Sequence, residues 1–145
     1  MEQAFFSNIF LKKDKKIYSL ESKDSKQVVV DTTKEHKTYP IVVLIDGATA
    51  SASEILAAAL KESYGAILVG TNSYGKGKVH QTNKLSDDTL IKYTTAKWFT
   101  PNGDSIDGVG LEPGIYVELD EKYFVYLTDE YDNQLQKALE LLANN

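Results

Sequence analysis

A chain of 145 residues is the size of one domain and can bury roughly two thirds of the surface its unfolded form exposes, so two independent domains are not expected. Its hydrophobic fraction of 42% and charged fraction of 26% are ordinary globular values, and a net charge of −5 disfavours a nucleic-acid or anionic-membrane partner. The absence of cysteine excludes disulfides, thiol nucleophiles and cysteine-ligated zinc.

No apolar run approaches the roughly 18 residues needed to span a bilayer, and the opening MEQAFFSNIF has neither a basic leader nor a cleavage site. Residues 3–11 resemble the end of a short helix. The basic run KKDKK at 12–16 is a solvated turn. Residues 16–20 and 27–32 have strand character, and the turn-like 22–25 between them predicts a hairpin. Pro40 breaks the chain. IVVLI at 41–45 is continuous and β-branched, the pattern of a strand buried on both faces.

Asp46 and Gly47 end that strand. Residues 51–63, SASEILAAALKES, are rich in helix formers and free of glycine and proline. Gly65 stops the helix, and AILV at 66–69 forms a second buried strand, giving a β-α-β unit with a parallel pair and a right-handed crossover. A glycine loop at 70–77 follows. Residues 79–85 and 90–99 are expected as antiparallel strands joined across 86–89. Pro101, Asn102 and Gly103 mark a turn. A strand over 111–119 is broken at Pro113 and Gly114. A helix over 129–143 closes the chain, with Leu135, Leu139 and Leu142 on one face and Asp129, Glu130 and Asp132 in its first turn. The class is α/β, with a mixed sheet and few helices.

Two stretches carry candidate chemistry. GATASASEI at 47–55 lies between a buried strand and a helix. A serine there sits at a helix N-terminus, where free N–H groups favour negative charge and would stabilise an oxyanion. The same Ser51-x-x-Glu54 is also a capping box, a common structural device, and both readings stand on this stretch alone. GTNSYGKG at 70–77 approaches a phosphate-binding loop in Gly70, Gly75 and Lys76. Gly77 occupies the place of the magnesium-binding hydroxyl, and a strand rather than a helix follows, which disfavours nucleotide binding. A solvated lysine on a tight glycine turn is the plain reading of the loop. A lysine flanked by glycines can also lose water against backbone, which disfavours its charged form and suits it to take a proton from a serine. His36 lies in the polar KEHK loop. A triad of serine, His80 and either Asp46 or Asp107 is the alternative constellation. No metal or other cofactor is expected.

Together these stretches resemble the C-terminal processing peptidases, or tail-specific proteases. GATASASEILAAALKE at 47–62 is similar to that family's serine block. SYGKGKV at 73–79 is similar to its lysine block. KYTTAKWFTPNGDSIDGVGLEP at 92–113 is similar to its following strand, turn and glycine segment. The three blocks keep the family's order, and the matching span is roughly residues 39–117. The resemblance implies a serine-lysine endopeptidase that trims proteins or peptides near their C-termini, on a crotonase-like α/β core. It places the nucleophile on Ser51 rather than Ser53 and the general base on Lys76, 25 residues on (76 − 51). It assigns the Ala52 backbone N–H to the oxyanion. His80 occupies the position of the family's lysine-orienting glutamine, with Gln81 next door.

The resemblance further implies that residues 1–145 are the latter part of a longer catalytic domain. Residues 1–40 are a lead-in containing the hairpin, 41–119 are the core with the motifs, and 129–143 are the end helix. The family's peptide-binding PDZ domain, its export signal and the strand supplying a second oxyanion donor fall outside this stretch. The full-length protein is expected to be extracytoplasmic or membrane-anchored, and the fragment alone inactive. An exposed sheet edge is expected to favour homo-oligomers. A non-catalytic peptide-binding member of the same fold is the alternative function.

Overall fold

The computed structural model describes residues 7–144. The helix end expected over 3–11 lies partly outside them; within them, residues 7–11 form a turn closed by the Leu11 N–H on the Ser7 carbonyl. Strands β1 (Lys16–Glu21) and β2 (Lys26–Val30) form the antiparallel hairpin, in register Ser19 to Val28 and Leu20 to Gln27. Strands β5 (Lys78–Lys84) and β6 (Leu90–Phe99) form a second one, and β6 also pairs with β1 through Leu20 and Trp98. The result is a four-stranded antiparallel sheet in the order β2-β1-β6-β5.

The second sheet is parallel. Strand β3 (Val42–Ile45) pairs with β4 (Ile67–Gly70), and β4 with the short β7 (Ile115–Tyr116), in the order β3-β4-β7. Parallel and antiparallel pairing are both present, but in separate sheets. The strand expected over 111–119 shrinks to two residues, because Pro113 supplies no N–H to a ladder. Strand β3 is also less enclosed than its sequence implies. Val43 and Ile45 pack on the core, whereas Leu44 on the opposite face is 40% exposed.

Helix α1 (Ala52–Ala59) connects β3 to β4 and continues into a π-helical turn, Leu60–Tyr64. Gly65, at φ 96°, ends it by donating its N–H to the Leu60 carbonyl. The buried Ala57, Ala58 and Ala59 let α1 approach closely. Ala57 and Ala58 join Ile45, Leu68, Trp98, Ile106 and Leu111, while Ala59 joins a second cluster with Leu11 and Ile17. The sequence thus uses small residues where the helix passes between the two groups of strands.

A short helix, α2 (Glu121–Tyr126), was not anticipated; Asp120 caps it by accepting from the Lys122 N–H. After a 3-10 turn, Asp129–Tyr131, helix α3 (Asn133–Ala143) starts at Asp132, whose side chain accepts from the Leu135 N–H. Its buried positions are Gln134 and Ala138, and Leu139 is 49% exposed. The inner face is therefore rotated by one position from the expected leucine stripe. Polar docking accounts for the rotation. Gln134 donates to the Val117 carbonyl at 2.8 Å, and Asn133 donates to the Glu118 carbonyl at 2.7 Å while accepting from the Asp120 N–H at 2.9 Å.

Candidate active site

The exit from β3 is locked by one aspartate. Asp46 Oδ1 accepts from the N–H groups of Ala48 and Thr49 and from the Thr49 hydroxyl, each at 3.0 Å, while the Thr49 hydroxyl accepts from the Asp46 N–H. This self-contained Asx turn delivers the chain to Ser51 at the start of α1. Ser51 has φ 56° and ψ −113°, on the positive-φ side that a residue with a Cβ seldom occupies. A conformation of that kind costs about 1–3 kcal/mol and persists only where its surroundings impose it.

What imposes it is Glu54, which is fully buried. Its Oε2 accepts from the Ser51 N–H at 2.7 Å and from the Lys76 N–H at 3.0 Å. Its Oε1 accepts from the Ser73 hydroxyl at 2.6 Å and from the Gly75 N–H at 2.7 Å. All four partners donate, so both oxygens serve as acceptors. The backbone nitrogens of Ser51 and Lys76 are therefore separated by less than the sum of two hydrogen bonds. The capping box legible in Ser51-x-x-Glu54 is present, and the same carboxylate also organises the glycine loop.

The loop is held from its other side as well. Ser73 Oγ accepts from the Leu111 N–H at 2.7 Å, and the Trp98 indole N–H donates to the Lys76 carbonyl at 2.8 Å. Tyr74 N–H reaches the Thr49 carbonyl, and Gly108 N–H the Gly75 carbonyl. Two glycines make this approach possible. At Gly110, φ 77°, an added Cβ would lie 2.1 Å from the Ser73 carbonyl oxygen; at Gly75, φ 86°, it would lie 2.8 Å from Gly110 N.

Lys76 itself is exposed, although Gly75 and Gly77 on either side are buried. The enclosure expected for a glycine-flanked lysine thus applies to its backbone and not to its side chain among the described residues. Lys76 borders an open cleft of about 660 Å³, lined also by Gly47, Ala48, Ala50, Lys78, His80, Lys92 and Asp107 among others. His80 shares the cleft and meets the Thr94 hydroxyl through Nδ1 at 3.2 Å. Asp46 is committed to its turn and Asp107 to Lys78 at 2.9 Å, so neither forms the aspartate–histidine bond of the alternative triad. Ala52 is the first residue of α1, so its N–H has no acceptor within the helix. Gln81 lies on exposed β5 opposite Tyr93, and the phosphate-loop reading fails because β5, not a helix, follows Gly77.

Sequence reasoning missed Ser73 and Trp98 and saw Glu54 only as a cap. The signal for Glu54 was the box spacing, but its bonds to Lys76 and Gly75 span 22 and 21 residues and have no local pattern.

The model of peptidase family S41 matches residues 3–117. The carboxy-terminal processing protease CtpA of Bacillus subtilis (strain 168) is 43% identical over 121 residues, covering 82% of this chain and 26% of that protein. A probable CtpA-like serine protease of Staphylococcus aureus (strain N315) is 38% identical over 120 residues, covering 81% and 24%. The chain spans about a quarter of the length of these relatives. Among solved structures, the photosystem II D1 C-terminal processing protease superposes with a TM-score of 0.67 at 26% identity, over 80% of this chain and 30% of that one. A putative S41 protease from Bacteroides fragilis shares the fold at a TM-score of 0.73 and 14% identity, over 98% and 41%. With its serine and lysine segments inside the matched span, the chain belongs to peptidase family S41, among the C-terminal processing peptidases.

Proposed function

We propose that this chain is the latter part of a serine endopeptidase that cleaves proteins or peptides near their C-termini, with Ser51 as nucleophile and Lys76 as general base. The observation that carries this reading is the Glu54 carboxylate, which draws the Ser51 and Lys76 backbones onto one oxygen while Ser51 is held in a strained conformation. Strain at a serine on a strand-to-helix turn is what an exposed nucleophile requires.

In the reaction, Ser51 Oγ attacks the scissile carbonyl and its proton passes to the Lys76 side-chain nitrogen. The Ala52 N–H, at the positive end of α1, donates to the oxyanion of the tetrahedral intermediate. The Lys76 ammonium then protonates the leaving amine as the C–N bond breaks, leaving an acyl ester on Ser51. Water attacks this ester, giving its proton to Lys76, and the carboxylic product departs as Ser51 regains its hydrogen. His80 orients Lys76 in the place of the family's glutamine.

The same reading assigns the second oxyanion donor, the PDZ domain and the export signal of an extracytoplasmic or membrane-anchored protease to the preceding part of the protein. Strand β3 is an edge of its sheet among the described residues. In the longer protein that edge takes a further strand, and in the isolated chain it pairs with a second copy.

The test is fluorophosphonate labelling and casein cleavage by the full-length protein, its Ser51→Ala and Lys76→Arg variants, and the 145-residue chain alone. Labelling and cleavage are expected only in the unaltered full-length protein. A folded full-length protein that neither labels nor cleaves would favour the non-catalytic peptide-binding reading. Equal cleavage by the isolated chain would show that its oxyanion hole is complete. Cleavage by folded Ser51→Ala would remove the nucleophile assignment.

A further inference from the structure

The cleft beside Lys76 holds one cation that the proposed reaction does not use. Lys76, Lys78, His80 and Lys92 line it against a single carboxylate, Asp107. Lys78 and Asp107 neutralise one another at 2.9 Å. Lys92 has no ion-pair partner among the described residues, and neither does Lys76, which the proposed reaction uses as its base. The rest of the lining, Gly47, Ala48, Ala50, Tyr74 and Gly75, is uncharged.

The strand register explains how Lys92 reaches this cleft. His80 pairs with Thr94, and Thr82 pairs with Lys92. Residues directly opposite, or two apart along a strand, share one face of a sheet. His80, Thr94 and Lys92 therefore look out from the same face, and the contact between His80 and Thr94 fixes its orientation. The register also slips between Val79 and His80, leaving Thr95 unpaired in the ladder. Such a bulge bends the ribbon and re-aims the side chains beyond it. Beyond the bulge, from His80 to Thr94, the ribbon is exposed on both faces, so the Lys92 ammonium is open to a ligand.

We propose that this wall selects a carboxylate on the substrate close to the scissile bond, with Lys92 as the specificity-determining cation. The carboxylate belongs to an acidic side chain of the substrate, whose charged oxygens an ammonium group attracts. The inference rests on the assignment of Ser51 and Lys76, because it takes the cleft at Lys76 as the place where the scissile bond lies.

The experiment uses the full-length protease and peptides that carry Glu or Gln at each position flanking the scissile bond and share one C-terminus. Solvent-exposed ion pairs are weak, so the carboxylate-bearing peptide should be favoured in kcat/KM by roughly two- to fivefold at low salt. The preference should shrink in high salt. Lys92→Gln should bring the Glu-over-Gln ratio to one, and Lys92→Glu should invert it. A ratio of one in the unaltered protein, or one that Lys92→Glu leaves unchanged, overturns the proposal. The same ratios measured as Kd on the Ser51→Ala variant require no turnover, so the charge comparison survives a failure of the nucleophile assignment. Charge-blind binding alongside Ser51-dependent cleavage sinks the selectivity alone.

Discussion

The indole N–H of Trp98 donates to the backbone carbonyl of Lys76 at 2.8 Å, while the Trp98 backbone N–H donates to the next carbonyl, that of Gly77, at 3.0 Å. A core residue, 2% exposed, thus grips the lysine loop twice from strand β6. Trp98→Phe keeps most of the ring and the backbone bond but removes the indole donor. The expected outcome is a loss of about 1–2 kcal/mol of stability, and a fall in kcat of roughly tenfold with KM little changed, as for a residue that positions the base. Steady-state kinetics that separate kcat from KM check this. An unchanged kcat in a folded variant would make Trp98 a packing residue only.

Glu54 accepts four hydrogen bonds at zero exposure. Glu54→Gln has the same shape, but its amide nitrogen faces donors on one side. The variant should lose about 2–4 kcal/mol by urea titration, and its folded fraction should cleave more slowly because Ser51 and Lys76 no longer share an anchor. Glu54→Asp should not rescue either property, since a side chain shorter by one methylene cannot reach both loops. A stability change below about 0.5 kcal/mol, the scale of a bland surface substitution, would show that the anchor is dispensable.

Ser51 offers a sharper separation of stability from activity. Glycine adopts a positive φ without strain and costs a helix N-cap only a few tenths of a kcal/mol. Ser51→Gly should therefore abolish cleavage while raising stability by about 1 kcal/mol. Thermal unfolding of the two proteins side by side reads the difference. A destabilised Ser51→Gly would mean that the serine side chain contributes more to the fold than its backbone conformation costs.

Lys76→Arg retains the charge and much of the length, but a guanidinium does not release its proton near neutral pH. Cleavage by this variant should collapse. His80→Gln restores the residue type that the family resemblance expects at that position and should be tolerated, while His80→Ala should lose activity in part. If His80→Ala were as inactive as Lys76→Ala, the histidine would be the proton acceptor.

Much of this molecule was legible before any tertiary structure. The hairpins on either side of the core, the β-α-β unit and the closing helix follow from alternation, β-branched runs and helix-forming composition, all of which act over a few residues. The serine and lysine motifs were legible for the same reason, since each is a short contiguous segment with characteristic glycines and hydroxyls.

Other features depend on surfaces brought together from distant segments. Helix α3 could have turned its leucines inward, but hydrogen bonds from Asn133 and Gln134 to the segment after β7 rotate it by one position. Leu44 is exposed despite its apolar run because the Val43 and Ile45 face is the one that packs on the core. Glu54 has the spacing of a cap, yet three of its four donors come from residues 73–76. Local propensity specifies the element type and the candidate residues. Which buried carboxylate joins the serine to the lysine is set by packing, because a hydrogen bond across 22 residues leaves no periodic trace in the chain.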